Sequence, residues 1–307
     1  MANAYEDPQL AASYERGNEL PARSLRAWAE LIAGYAPTGP GAPAVSDAPA
    51  VPGARAVPGA PAVGAQPAPA VLEVGAGTGM FCAALARALP AAIVTGVEPS
   101  QPMREQAAAH NAHPRVRYLD GSAERLPVPT AGFGLALLSR VVHHLPDRPA
   151  AARELARVLR PGGRLVIRTT VRERLDAPVY RYWPQLLASD ALRFPTEGEL
   201  LADFGAAGFA VHQVRSYAQP VAADLRSWRE QVAGRAQSKF LALSGEQFAA
   251  GLARLDEELD EELGEELGEE LAGGDAADGD APGGERSAAA VQERYDVIVL
   301  ERTPGGA

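Results

Sequence analysis

Val71-Leu72-Glu73-Val74-Gly75-Ala76-Gly77-Thr78-Gly79 is the stretch that decides how this 307-residue chain is read. A short strand-like run enters three glycines at alternate positions, and Phe81–Leu89 follows with helical character, closed by Pro90. Glycines permit tight backbone torsions and remove side chains that would block a ligand lying on the turn. The dinucleotide pattern G-x-G-x-x-G needs glycine at position 80 after Gly75 and Gly77, but Met80 stands there. Glu73, two residues before the first glycine, suits a ligand with positive charge rather than a pyrophosphate.

Outward from this turn, strands and helices alternate. Ala92–Val97, Val116–Leu119, Gly134–Leu138 and Arg164–Arg168 read as strands. Met103–His110 and Ala150–Leu159 read as helices, the second stopping at Pro161-Gly162-Gly163. Phe209–Ser216 and Tyr295–Arg302 are strand-like and separated by a helical stretch. Short alternating elements of this kind predict βαβ units, hence an α/β fold with a mostly parallel sheet covered on both faces.

The chain carries 29 Lys+Arg against 39 Asp+Glu, a formal net charge of −10. Its 47% hydrophobic and 22% charged content excludes a wholly disordered chain. One cysteine, Cys82, excludes an intrachain disulfide and a cysteine-rich zinc site. The acidic, polar N-terminus lacks the apolar run of a signal peptide, and no stretch reaches the ~18 apolar residues of a membrane span. These features predict a soluble, cytoplasmic protein. The charge itself is concentrated: Leu255–Leu271 holds ten acids and no base, so the remaining 29 acids balance the 29 bases. This run reads either as an interaction arm or as a solvated helix extension fading into Ala272–Glu285, and like-charge repulsion favours the second. A neutral remainder with no basic stripe argues against a nucleic-acid partner. Nine of the 34 residues in 37–70 are proline, which favours an extended linker.

The glycine segment resembles motif I of the class I S-adenosylmethionine-dependent methyltransferases, whose fold is Rossmann-like. Further stretches share the resemblance in order. Glu98 ends the second strand, where a carboxylate can accept hydrogen bonds from two ribose hydroxyls; dinucleotide enzymes share that feature. Pro99-Ser100-Gln101-Pro102-Met103 is similar to the family's D/E-x-S-x-x-M stretch, and Gly121–Pro127 to its G-D-A-E-x-L-P segment, with Ser122 where aspartate is usual. Leu159–Leu165 is similar to its L-x-P-G-G-x-L turn. The likeness spans roughly residues 71–168 and lies nearest the type-11 subgroup that includes quinone C-methyltransferases.

The resemblance implies a sheet of seven strands in the order 3-2-1-4-5-7-6, the last antiparallel, and the following site residues. S-adenosyl-L-methionine is the cofactor, held by Glu73, Gly75, Ala76, Gly77, Thr78, Gly79, Glu98, Pro99, Met103, Ser122, Ala123 and Ser139. The partner is a small-molecule methyl acceptor, met by Tyr14, Arg140, Tyr180 and Trp183. His143 and His144, just after the fourth strand, are candidate general bases, with packing or cofactor contact as the alternative. The histidines lack a ligand spacing, so no metal is expected. Residues 1–36 form a helical segment over the pocket, 37–70 the linker and 71–302 the methyltransferase domain. Within that domain, cap helices occupy about 218–255, the acidic insert 255–290 and the final strand 295–302. A nicotinamide-dependent oxidoreductase is the alternative enzyme, disfavoured by Met80 and Glu73. A non-catalytic cofactor-binding protein acting through its acidic arm is the alternative outside enzymes.

Overall fold

The central strand β1 (Ala70–Val74) is buried along its full length, as a strand covered by helices on both faces must be. The computed structural model describes residues 20–37, 69–235, 237–273 and 289–305, together with residues 8, 11, 12 and 14. Within these, β1 joins β2 (Ile93–Val97), β3 (Val116–Leu119), β4 (Phe133–Ser139), β5 (Leu159–Thr169), β6 (Phe209–Ala222) and β7 (Val291–Arg302). The seven form one sheet in the order β3-β2-β1-β4-β5-β7-β6. The five strands from β3 to β5 pair in parallel, and β7 runs antiparallel to both β5 and β6. This is the Rossmann-like α/β order expected.

Alternation along the strands sorts side chains between two cores. One face takes Val71, Leu135, Leu137, Val166 and Val297 and packs against α1 (Ala22–Ala33) and α2 (Met80–Ala88). The same core extends to α5 (Val179–Tyr182), α6 (Gln185–Arg193), α8 (Leu225–Ala233) and α9 (Gly245–Gly273). The other face takes Leu72, Val74, Ala136, Leu138, Ile167 and Ile298, against α4 (Arg148–Val158) and α7 (Glu197–Ala206). Side-chain caps set several helix starts. Ser100 accepts from the Met103 N–H to begin α3 (Gln101–His110), and Asp147 from Ala150 to begin α4. Thr196 and Glu199 form a reciprocal capping box on α7. Each such cap contributes about 1 kcal/mol.

Several boundaries differ from the sequence expectation. β5 begins at Leu159 and carries Pro161-Gly162-Gly163 inside it, because the turn, with Gly162 at φ +74°, folds as a bulge whose register shifts between Phe133 and Leu135 of β4. β6 and β7 run past the apolar pattern to Ala222 and Val291, since each supplies the other's main-chain partner there. Residues 218–222, expected in the cap, therefore belong to β6. The acid-rich run continues α9 through Gly264 and Gly268 to Gly273. Its first acids are docked on the body: Asp256 pairs with Arg229 at 2.7 Å, and Glu258 with Arg181 at 2.8 Å. The 38–68 part of the proline-rich segment and residues 274–288 lie outside the described residues. Among the described residues no helix is long and apolar enough to cross a membrane.

Candidate functional site

Gly75, Gly77 and Gly79 all adopt positive φ, at 71°, 53° and 80°, a region that favours residues without a Cβ. Their surroundings differ. A Cβ at Gly75 would meet Val141 at 2.5 Å and one at Gly79 the Tyr118 hydroxyl at 2.1 Å, whereas one at Gly77 meets only Tyr14, at 4.0 Å. Gly75 and Gly79 are thus closed in by the fold, and Gly77 opens onto a cleft. The turn is tied to the end of β2. The Gly75 and Ala76 N–H groups donate to the Val97 carbonyl at 2.8 and 3.1 Å, and the Gly77 N–H donates to Glu98 Oε2 at 3.0 Å. Glu98 Oε1 accepts from the Ser100 N–H at 3.0 Å.

The cleft is lined by Glu73, Gly75, Ala76, Gly77, Thr78 and Ser139, with Tyr14, Arg140 and Arg168 completing it. Glu73 is buried, and its Oε2 has no hydrogen-bond partner among the described residues. Burial pushes its carboxyl up to about 8, against the lowering effect of the Cys82 thiol and N–H. Arg168 is 1% exposed and sits among aromatic rings, 3.7 Å from the Tyr295 centroid, 4.5 Å from Trp28 and 5.5 Å from Phe81. Its Nη1 donates to Ser139 Oγ at 3.4 Å, while Nε and Nη2 have no partner among the described residues. Burial brings its guanidinium down to about 10. Strand alternation puts Glu73, Ser139 and Arg168 on the same face of the sheet, near the carboxyl ends of β1, β4 and β5, the usual ligand edge of such folds. One cleft therefore holds a buried carboxyl and a buried guanidinium, each with unused hydrogen-bonding capacity.

A second cleft continues from the first across Tyr14 and Arg140, which line both. Its walls include His143, His144, Tyr180, Phe194, Lys239 and Glu293. His143 stacks on Phe194 with centroids 4.2 Å apart and packs 4.1 Å from His144. Desolvation lowers both imidazoles below their ordinary range, and the cations of Arg193 and Arg140 lower them further. Both rings are therefore unprotonated at neutral pH. Tyr180 donates its hydroxyl to Asp190 at 2.9 Å.

The remaining sequence candidates lie elsewhere. Glu98, Pro99 and Met103 follow β2, and Ser122 and Ala123 follow β3; none of them lines either cleft. Gly79 supports the turn from its buried side. The expectation that Trp183 meets an acceptor is corrected by its burial: it is 0% exposed, stacks on Phe248 at 5.7 Å and donates Nε1–H to the Phe248 carbonyl. Gly251 of α9 leaves the room its ring fills. Arg168, Lys239 and Glu293 escaped the sequence reading. The signal for Arg168 was an arginine in inward phase at the end of an otherwise apolar strand. Among the described residues no cluster of three or more histidine, cysteine or acidic side chains is arranged for a metal.

Comparison with known proteins matches residues 72–167 to the family described as methyltransferase domain. An uncharacterized methyltransferase of Mycobacterium tuberculosis H37Rv is 34% identical over 101 residues, 33% of this chain and 50% of that protein. The ubiquinone/menaquinone biosynthesis C-methyltransferase UbiE of Syntrophotalea carbinolica is 29% identical over 167 residues, 46% of this chain and 69% of that protein. The chain thus spans about half the length of several curated relatives it matches. Among solved structures, a protein of Anabaena variabilis assigned as a methyltransferase from an antibiotic biosynthesis pathway superposes with a TM-score of 0.52. It is 25% identical, over 75% of this chain and 90% of that one.

Proposed function

We propose that this chain, whose residues 72–167 match the family described as methyltransferase domain, is an enzyme that transfers a methyl group from S-adenosylmethionine to a small-molecule acceptor. One observation carries the cofactor assignment. The first cleft offers a buried acid, Glu73, and a buried base, Arg168, each with unpartnered polar atoms. A ligand with a zwitterionic amino-acid end satisfies both groups at once. A pyrophosphate would place negative charge against Glu73, and burying a charge without a partner is strongly unfavourable.

S-adenosylmethionine, when bound, supplies a methyl group whose bond to sulfur breaks as the bond to the acceptor atom forms, sulfur keeping the electron pair. The protein's share is placement. Glu73 receives the cofactor's ammonium and Arg168 its carboxylate. The open side of Gly77 lets the ligand lie against the backbone. Glu98 holds the turn and takes the ribose hydroxyls, with Pro99, Met103, Ser122 and Ala123 around the adenine. Tyr14 and Arg140 stand where the two clefts join, so they border cofactor and acceptor alike. His144 takes the proton that the acceptor sheds, and His143, stacked between His144 and Phe194, positions it. Tyr180 lines the acceptor side. The small-molecule reading is supported by the likeness to a quinone C-methyltransferase and by the polar second cleft.

Thermal denaturation with S-adenosylhomocysteine or NADH present tests the cofactor assignment. A ligand at a hundred times its Kd stabilises the folded state by about 2.7 kcal/mol. The expected result is a rise in Tm of several degrees with S-adenosylhomocysteine and none with NADH. The reverse result would favour the oxidoreductase.

A further inference from the structure

Asp190 is turned into the molecule, although its helix also has a face in water. On α6 it is 3% exposed, while Leu187 and Leu192 of the same helix are 42% and 86% exposed. That is the reverse of the usual amphipathic order. Burying a carboxylate is costly unless hydrogen bonds offset it. Arg193, three residues on, comes no closer than 3.8 Å. The close contact is Tyr180 of α5, whose hydroxyl donates to Asp190 Oδ2 at 2.9 Å. Both residues line the second cleft, so the bond bears on the acceptor. The inference drawn from it rests on the methyltransferase reading and deepens it.

The bond decides what Tyr180 offers a ligand. A phenol has one hydrogen to donate and lone pairs that accept. Here the hydrogen is committed to a carboxylate, and hydrogen bonds to a carboxylate are the stronger kind. Burial, with the Asp190 charge beside it, pushes the Tyr180 hydroxyl above its ordinary range, so the hydrogen stays in place at neutral pH. What remains for a ligand is the oxygen lone pair. Donating to a carboxylate also makes that oxygen a better acceptor, because hydrogen bonds in a chain polarise one another. Two further hydroxyls of the same wall are committed likewise. Thr169 Oγ1 donates to the Thr170 carbonyl at 3.2 Å, and the Tyr295 hydroxyl donates to Glu293. Lys239 and Arg193 in these walls are donors and serve acceptor atoms elsewhere on a ligand; the Tyr180 end requires a donor.

We propose that the acceptor presents an O–H or N–H hydrogen to Tyr180 Oη, so that Tyr180, held by Asp190, selects hydroxyl- or amino-bearing molecules over their fully methylated counterparts. A methyl ether or a neutral tertiary amine has no hydrogen to give there. A carbonyl oxygen in that place would face the Tyr180 lone pair. Turning the Tyr180 hydrogen toward it would strip a buried carboxylate of its closest partner, which is unfavourable.

The test uses the 307-residue chain saturated with S-adenosylhomocysteine. Phenol, catechol and cyclohexanol are each paired with their methyl ethers, and aniline with N,N-dimethylaniline. Ligand-observed NMR screens the pairs, and binders are titrated. The hydrogen-bearing member is expected to bind about ten-fold tighter or more, the effect of one hydrogen bond lost at a partly buried site. The pair with the larger preference names the donor as hydroxyl or amino. Tyr180→Phe is expected to abolish the preference by weakening the hydrogen-bearing member alone. Asp190→Ala, which frees the Tyr180 hydrogen, is expected to tighten the ethers and so narrow the preference. Ethers binding as well as their parents would overturn the proposal, and so would a panel with no binder at millimolar concentration. A preference kept in Tyr180→Phe would also overturn it, since bulk alone would then exclude the ethers. Affinity for S-adenosylhomocysteine reports folding in each variant. If Asp190→Ala does not fold, Tyr180→Phe decides alone; if it folds and the preference is unchanged, the proposal falls. Failure of the wild-type chain to bind S-adenosylhomocysteine strikes instead at the methyltransferase reading, and the inference falls with it.

Discussion

Gly77 donates its backbone N–H to Glu98 Oε2 at 3.0 Å, across 21 residues of chain. This bond fastens the turn after β1 to the end of β2. The other carboxylate oxygen is occupied by the Ser100 N–H, so the carboxylate is fixed from both sides before any ligand arrives. Two segments expected from sequence to meet the same cofactor are therefore one rigid unit. Fixed donors and acceptors of this kind lower the ordering cost of binding.

The three glycines of the turn separate folding from binding. Gly75→Ala places a methyl 2.5 Å from the Val141 side chain, and overpacking of this kind costs about 1–3 kcal/mol on top of the torsional penalty. Gly77→Ala has no such clash and pays about 1–2 kcal/mol for its positive φ. Urea denaturation is expected to show the larger loss in Gly75→Ala. Calorimetry is expected to show at least a ten-fold loss of S-adenosylhomocysteine affinity in Gly77→Ala, whose methyl enters the cleft. A Gly77→Ala protein that binds normally would remove the ligand from this side of the turn.

Glu73 makes cofactor binding depend on pH. Burial raises its carboxyl from an ordinary 4.5 to about 8, so the ligand-free protein holds it protonated at neutral pH. A group raised in this way contributes stability that is full below about 4.5 and lost as pH rises through about 8. Pairing with an ammonium requires the ionised form. Affinity for S-adenosylhomocysteine is therefore expected to rise from pH 6 to 8, with a proton released on binding, and to level off above that. Titration in buffers of different ionisation enthalpy measures the release. Glu73→Gln should show none, and a flat wild-type profile would contradict the pairing.

Arg168 separates affinity from stability in the opposite sense to the glycines. A buried cation replaced by an apolar side chain of similar volume is often neutral or stabilising. Arg168→Met is accordingly expected to keep or raise Tm while losing at least ten-fold in S-adenosylhomocysteine affinity. If affinity is kept, Arg168 serves only to fill the space among Trp28, Phe81 and Tyr295.

His144 is expected to act as an unprotonated imidazole of lowered basicity. General-base catalysis contributes about 10²–10⁴-fold, and a weakened base belongs at the low end. His144→Ala should lower kcat about 100-fold with little change in KM, once an acceptor is in hand. No histidine ionisation near 6.5 should appear in the pH–rate profile. A loss under three-fold would assign both histidines to packing.

Much of this architecture was legible in the sequence because its determinants are local. Val71–Gly79 reads as a strand, a turn and a helix start, since only glycine fits the three positive-φ positions cheaply. Glu98 could be placed because it ends a strand at a fixed spacing from that turn. The second cleft was not legible in the same way. Lys239 and Glu293 are brought to Arg140 by the β6–β7 pairing and the turn before α9, and nothing near them in sequence marks the meeting. Trp183 misled for a related reason: an aromatic residue after β5 suits a ligand wall and a core equally. The room made for it by Gly251, 68 residues further on, decides in favour of the core. The lengths of β6 and β7 depend on each other, so neither apolar pattern alone could set them.

Isothermal titration of the 307-residue chain with S-adenosylhomocysteine is the decisive measurement. One site per chain is expected, with a Kd inside the range of about 1 μM to 1 mM that enzyme KM values span. At least a ten-fold loss is expected in Glu98→Ala, which frees the Gly77 and Ser100 N–H groups. No binding heat at millimolar ligand, or an unchanged Kd in Glu98→Ala, would contradict the cofactor assignment.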